Sequence, residues 1–270
     1  MRKRTAATGG FSLLELIVVV IVLAVVLLLV GPGILRSRDR SRRIRCASNL
    51  KQIGLAFKTW ALDNKDRFPM RVSEAEGGPP NQAGLAQPDP VAAFTYQVFG
   101  TMSNELVEPV LLVCPSDNSL SHADFRMFRG GVSNVMVGGR STMCNLNVSY
   151  FVGRDADESN PGMILAGDRN IYGGGSVPHD LPVSGINGGY GNSPVHAGAP
   201  LGLGAAVAMG TNLLAGDASP CWTARMHHEL GMILFADGSE QEVNNLRLRA
   251  ILAASGDTNA PPRQNMLLFP

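Results

Sequence analysis

Glu15 is the one charged side chain in the run FSLLELIVVVIVLAVVLLLV at 11–30. A charged group at membrane depth costs about 2.5–3.5 kcal/mol on insertion scales, and such groups are usually paired and functional. Four cysteines, Cys46, Cys114, Cys144 and Cys221, allow three complete disulfide pairings. None stands in a C-x-x-C pair, which argues against a zinc or dithiol motif. Cys114 and Cys144 fall in the strand-rich part of the chain, and theirs is the pairing expected to close in an oxidising compartment if the two are near. His227 is followed after nine residues by Asp237-Gly238, a hairpin-turn dipeptide. The expectation there is structural, with His227 bonding a loop carbonyl, because the pair alone supplies too few ligands for a metal. Asp155, Asp157 and Glu158 alternate as oxygen donors do around calcium. No glycine follows at the position an EF-hand loop needs, so a solvated turn is preferred to a calcium site. No G-x-S-x-G occurs, Gly173-Gly174-Gly175 lacks a P-loop lysine, and the five histidines are scattered. No catalytic residue is named, and the expectation is a protein that is not an enzyme and carries no cofactor.

These residues need elements to hold them. The apolar run has about the length a helix needs to cross a bilayer core. It is too long for the apolar region of a secretory signal, and Gly31-Pro32-Gly33 is not an A-x-A-like end. Gly31-Pro32-Gly33 predicts a kink or local melting. Beyond it, Cys46, Leu50, Ile53, Phe57 and Trp60 recur at steps of four and three, one face of an amphipathic helix that should stop near Asn64. Residues 73–90 read as an exposed loop, and 172–204 as a long glycine-rich excursion. Short apolar runs at 107–113, 132–137, 147–152 and 163–166 predict antiparallel strands. Near the C-terminus the pattern predicts a hairpin of 232–236 with 240–243, a short helix over 245–254 and a last strand over 266–269. The fold class is α+β: a long N-terminal helix packed on a loop-rich antiparallel sheet. A net charge of +1 gives no global field for nucleic acid, and 17% charged residues is low for a cytosolic enzyme.

Gly10-Phe11-Ser12-Leu13-Leu14-Glu15, after a leader opening with Arg2, Lys3 and Arg4, resembles the processing site of type IV pilins and type II secretion pseudopilins. The stretch from Cys46 through Ala56, Cys114-Pro115-Ser116-Asp117 and the H-x9-D-G spacing of His227 to Asp237-Gly238 resemble a pilin-like group of planctomycete-type bacteria. The resemblance implies a leader, 1–10, cut after Gly10 by a prepilin peptidase, with methylation of the new amine on Phe11. It implies a transmembrane and assembly helix at 11–30, an amphipathic continuation at 31–66 and a β-rich periplasmic domain at 67–270. Glu15 is the implied assembly residue. A positive partner one turn away arises only if cleavage frees the amine of Phe11. Implied partners are sister subunits, the peptidase, the inner membrane and an assembly machine for a filament or pseudopilus serving secretion or adhesion. The arginines at 36–45 outnumber the basic residues of the leader and, taken alone, would reverse this topology; the processing motif sets the expectation of a cytosolic leader. The alternative is a membrane-anchored periplasmic binding module or adhesin that does not polymerise.

Overall fold

The computed structural model describes residues 12–80, 95–117, 124–125, 136–137, 140–141, 147–172, 205–209, 221–222, 224–227, 230–255 and 265–269. The Gly10–Phe11 junction, Cys144, and most of the 73–90 loop tip and of the 172–204 excursion lie outside them. The chain divides into two compact units, Met1–Ser41 and Arg42–Pro270.

The first unit is the start of helix α1 (Leu13–Asp63). Ser12 and Glu15 close its N-terminus reciprocally. The Glu15 backbone N–H donates to Ser12 Oγ at 3.2 Å, and the Ser12 N–H donates to Glu15 Oε2 at 3.0 Å. This is a capping box, which satisfies two of the four N–H groups that a helix start leaves orphaned. The apolar side chains from Leu13 to Leu29 are all exposed, the larger ones between 47% and 76%. Among the described residues no helix is long and apolar enough to cross a membrane; the described side chains of the apolar run end at Leu29. Of the kink or local melting expected at Gly31-Pro32-Gly33, the melting does not occur, since α1 runs through these residues as helix. Proline removes one N–H from the ladder, and the bonds on either side carry the helix across.

The second unit is built around a six-stranded antiparallel sheet. In chain order its elements are α2 (Thr95–Thr101), α3 (Ser103–Leu106), β1 (Met136–Val137), β2 (Arg140–Ser141), β3 (Tyr150–Gly153), β4 (Ile164–Asp168), β5 (Ile171–Tyr172), β6 (Ala205–Met209), β7 (Cys221–Trp222), α4 (Ala224–His227), β8 (Leu230–Phe235), β9 (Glu240–Asn244), α5 (Asn245–Ala254) and β10 (Asn265–Phe269). The main sheet runs β6-β10-β3-β4-β8-β9, while β1-β2 and β5-β7 form two small ladders.

Strand side chains alternate between faces, and the alternation here buries both. Tyr150 and Val152 of β3 and Met232 and Leu234 of β8 join a core with Cys46, Leu50, Ile53, Phe57 and Trp60 of α1. Phe151, Ile233 and Phe235 turn to the other face and pack with Trp222, Leu248 and Leu252. The helical face read from the sequence is therefore the face that covers the sheet. Each of its large side chains contributes roughly 1.5–3 kcal/mol by leaving water. Gly54 sets the approach of helix to sheet: a Cβ there would stand 2.9 Å from Leu234 Cδ1. Basic residues beside the apolar stripe meet acids of the body, with Lys51 at 3.6 Å from Glu240 and Lys58 at 2.7 Å from Glu158.

The strand expected at 107–113 is absent. Pro109–Leu112 is a 3-10 turn with Pro109 in its first positions, and Val107 just before it has a φ of 64°. Pro109 has no N–H to give a ladder, so the apolar run turns instead. Of 132–137 only Met136–Val137 is described, as β1. The strands at 147–152, 163–166 and 266–269 and the helix at 245–254 appear within a residue or a few of their expected bounds.

The β8–β9 hairpin also appears, with a larger loop than a two-residue Asp-Gly turn. Gly238 N–H donates to the Phe235 carbonyl and Phe235 N–H to the Ser239 carbonyl, each at 2.9 Å, so the loop is Ala236-Asp237-Gly238. Gly238 alone carries the positive φ, 88°, the pattern of a type I turn closed by a glycine bulge. Asp237 instead accepts the Ser239 N–H at 2.7 Å, and its hydrogen bonds to Ser239 hold its carboxyl below the usual range. Gly238→Val should cost about 1–3 kcal/mol. Asp237→Asn keeps the accepting oxygen and should be near neutral. Thermal melts of the two variants check this, and a severe Asp237→Asn effect with a mild Gly238→Val effect would contradict the turn assignment.

Candidate functional site

The segment Val113–Asp117 lies against α1 and brings chemistry with it. Asn49 of α1 donates to the Val113 carbonyl at 3.2 Å. One residue on, Cys114 is disulfide-bonded to Cys46, with the Cα atoms 5.2 Å apart. This corrects the expected Cys114–Cys144 pairing: Cys46 sits on the apolar helix face, and that face is what Cys114 packs against. Both cysteines are fully buried.

The turn after Cys114 places Asp117. Its N–H donates to the Cys114 carbonyl at 2.9 Å. Its carboxylate accepts Ser149 Oγ–H at 2.7 Å and pairs with Arg169 at 2.9 Å, both partners of the ion pair being almost wholly buried. Arg169 follows Asp168, the last residue of β4. Asp168 Oδ2 accepts the Met232 N–H at 2.8 Å, tying β4 to β8, while Oδ1 has no hydrogen-bond partner among the described residues. His227, at the end of α4, is buried with its Nε2 at 3.5 Å from Asp168 Oδ2 and 3.3 Å from Cys114 Sγ.

The electrostatics follow from dryness. Burial pushes the Asp168 carboxyl up to about 8; the Met232 N–H opposes this and the negative charges of Asp117 and Glu240 add to it. Burial likewise raises the Tyr150 phenol, with Asp168 the next cause. A protonated Asp168 carboxyl is neutral, the form a low-dielectric interior favours.

The arrangement brings together Cys46, Cys114, His227 and Asp168. It does not bring His227 to Asp237-Gly238 as a pair of ligands, because Asp237 is occupied in the hairpin loop. The acidic trio also stays apart. Asp155 pairs with Arg154 at 3.1 Å and Glu158 with Lys58 at 2.7 Å. Asp157 accepts the Ser159 N–H and hydroxyl; burial works to raise its carboxyl, and the Ser159 bonds more than offset this and hold it low. Among the described residues the one histidine, cysteine and carboxylate group with mutually close ligand atoms is Cys46, Cys114 and His227, spread within 4.8 Å. With the sulfurs joined, the cluster offers neither a thiolate nucleophile nor a thiolate ligand. Gly10 and Phe11 lie outside the described residues, and Glu15 sits in the α1 capping box.

Asp168 and Arg169 were not singled out as site residues from the sequence. The available signal was an Asp-Arg pair ending the apolar run Met163–Gly167, where a strand buried on both faces has no solvent to receive charge. No known family model matches the chain, and neither the curated proteins nor the solved structures yield a match.

Asp168 fixes a pH dependence. Its carboxyl is higher in the folded chain than in the unfolded one, so its contribution is complete below about pH 4 and is lost as pH rises towards about 8. The melting temperature of the disulfide-bonded protein should fall between about pH 5 and 8, where exposed carboxylates are already ionised. Asp168→Asn, which keeps an acceptor for Met232, should flatten that fall. Scanning calorimetry across the range checks it; an unchanged slope in the variant would contradict Asp168 as its source.

Proposed function

We propose that the chain is a pilin-like or pseudopilin-like structural subunit, cut after Gly10, held in the inner membrane by the start of α1 and polymerised through that helix. The observation that carries the reading is the row of exposed apolar side chains from Leu13 to Leu29, interrupted by one carboxylate at Glu15. A surface of that composition is stable only when covered by lipid or by like helices. The Gly10-Phe11 junction and the position of Glu15 make processing and assembly the specific form of that cover. The amphipathic half of α1, buried under the sheet, gives each subunit a folded body joined to its assembly helix by continuous backbone. Sister subunits, a prepilin peptidase and an assembly machine are the partners of this reading, and secretion or adhesion is its purpose. The body faces the periplasm.

In a bundle of such helices an unpaired Glu15 would be costly and would tend to protonate. The amine on Phe11 of a neighbouring subunit would neutralise it, and one charge pair per subunit would fix axial register.

The capping box favours a second reading. Hydrogen bonds between Ser12 and Glu15 give the carboxylate a local role that a plain membrane anchor would also keep. A tethered binding module without polymerisation then accounts for the helix.

Three variants separate the readings. Ser12→Ala breaks the box and keeps the charge; Glu15→Gln keeps the box, since glutamine also serves at that position, and removes the charge; Glu15→Val removes both. For a filament subunit, Glu15→Gln and Glu15→Val should lose filaments while Ser12→Ala assembles, with subunit level and N-terminal processing unchanged in all three. Filament yield and surface display are the measurements. Normal assembly of Glu15→Gln would remove the charge mechanism and leave the anchor.

A further inference from the structure

We propose that the buried cluster of Cys46, Cys114, His227 and Asp168 is a two-state site: closed as a disulfide in the oxidised chain, and a binding site for one zinc-class divalent cation in the reduced chain. The geometry carries this. The two Sγ atoms and a His227 ring nitrogen lie within 4.8 Å of one another. Tetrahedral donors on one such ion stand about 3.5–3.8 Å apart, so once the disulfide opens the sulfurs must part and the imidazole close in, by side-chain rotation, for a single ion to take all three. His227 Nε2 faces the sulfur of Cys114 at 3.3 Å and the Asp168 carboxylate at 3.5 Å. Asp168 Oδ2, on a fully buried residue and 3.5 Å from that nitrogen, lies beside the three and would supply the fourth donor. Two thiolates, an imidazole and a carboxylate form the donor set of a four-coordinate zinc site. The ligands come from α1, the turn at 114, the end of β4 and the end of α4, so the ion would hold together the same segments as the disulfide.

The chemistry balances. A dithiol reductant delivers two electrons and two protons to the Cys46–Cys114 bond and is itself oxidised to a disulfide, leaving two thiols in the cluster. Cation binding then displaces the two thiol protons, while the neutral imidazole gives its lone pair. Reoxidation by a disulfide-bonded dithiol carrier reforms the S–S bond and releases the ion. The site does not depend on the filament reading.

The test uses the full chain in detergent with Cys144→Ser and Cys221→Ser, so that only the cluster thiols remain. A phosphine reductant opens the disulfide, and Co2+ is titrated as an optical probe, with Zn2+ as competitor. Expected are the d–d bands of a tetrahedral site and a thiolate-to-cobalt charge-transfer band, saturating at one ion per chain and abolished by Zn2+. The oxidised protein should show neither band. His227→Gln should weaken Zn2+ binding by at least about tenfold, and Asp168→Asn should alter the d–d bands while the charge-transfer band persists. If the reduced chain unfolds, Zn2+ should restore its circular dichroism, because binding is then coupled to folding. A folded reduced chain without the bands, an unfolded one that Zn2+ does not restore, or a His227→Gln variant that binds as the parent does would each overturn the proposal.

Discussion

The burial of one helix face against a sheet is the interaction on which the rest of the body depends. Cys46, Leu50, Ile53, Phe57 and Trp60 close over Tyr150, Val152, Met232 and Leu234, and Gly54 lets the backbones come near enough for those side chains to interlock. The Cys46–Cys114 bond fastens the N-terminal end of this face across a sequence separation of 68. A loop of that length removes about 4 kcal/mol of chain entropy from the unfolded state. The ion pairs along the helix edge are partly solvated and contribute at most about 1 kcal/mol each. Packing and the crosslink therefore dominate, and the salt bridges tune.

Beneath the crosslink the sheet accepts polar groups that a purely apolar core would exclude. Asp117 and Arg169 form a buried ion pair that leaves Arg169 Nη1 without a partner among the described residues, and Asp168 ties β4 to β8 through the Met232 N–H. Leaving a carboxyl in this environment is costly unless it holds a proton, which is why burial drives Asp168 to about 8. In the proposed two-state site, opening the disulfide would place two thiols beside that carboxyl. Stability, protonation and thiol chemistry thus meet at one point in the fold.

Much of this was legible in the sequence where a period or a turn signal governs. The four-and-three spacing from Cys46 to Trp60 gave the buried helix face, and Asp237-Gly238 located the hairpin, although the loop includes Ala236. The region at 245–254 announced its helix, which Asn244 caps through the Arg247 N–H. What was not legible depends on contacts between distant segments. Cys46 read as one more apolar face residue, and nothing local pairs it with a cysteine 68 positions away. Asp168 falls beyond the strand expected at 163–166, and its burial comes from strands that neighbour it only in the fold. The run at 107–113 had strand composition, and Pro109 overrode it. Ser12-x-x-Glu15 carries the spacing of a capping box, and that box gives the carboxylate local partners without a cation.

That last point bears on function. The proposed function rests on the exposed apolar side chains from Leu13 to Leu29 and on the capped start of the helix that carries them. Anchoring and polymerisation differ in what happens at the Gly10–Phe11 junction. Mass spectrometry of the mature N-terminus, on protein extracted from the native membrane, tests this most directly. The account predicts a chain beginning at Phe11 with a methylated amine; an intact Arg2–Gly10 leader on the mature protein would contradict it.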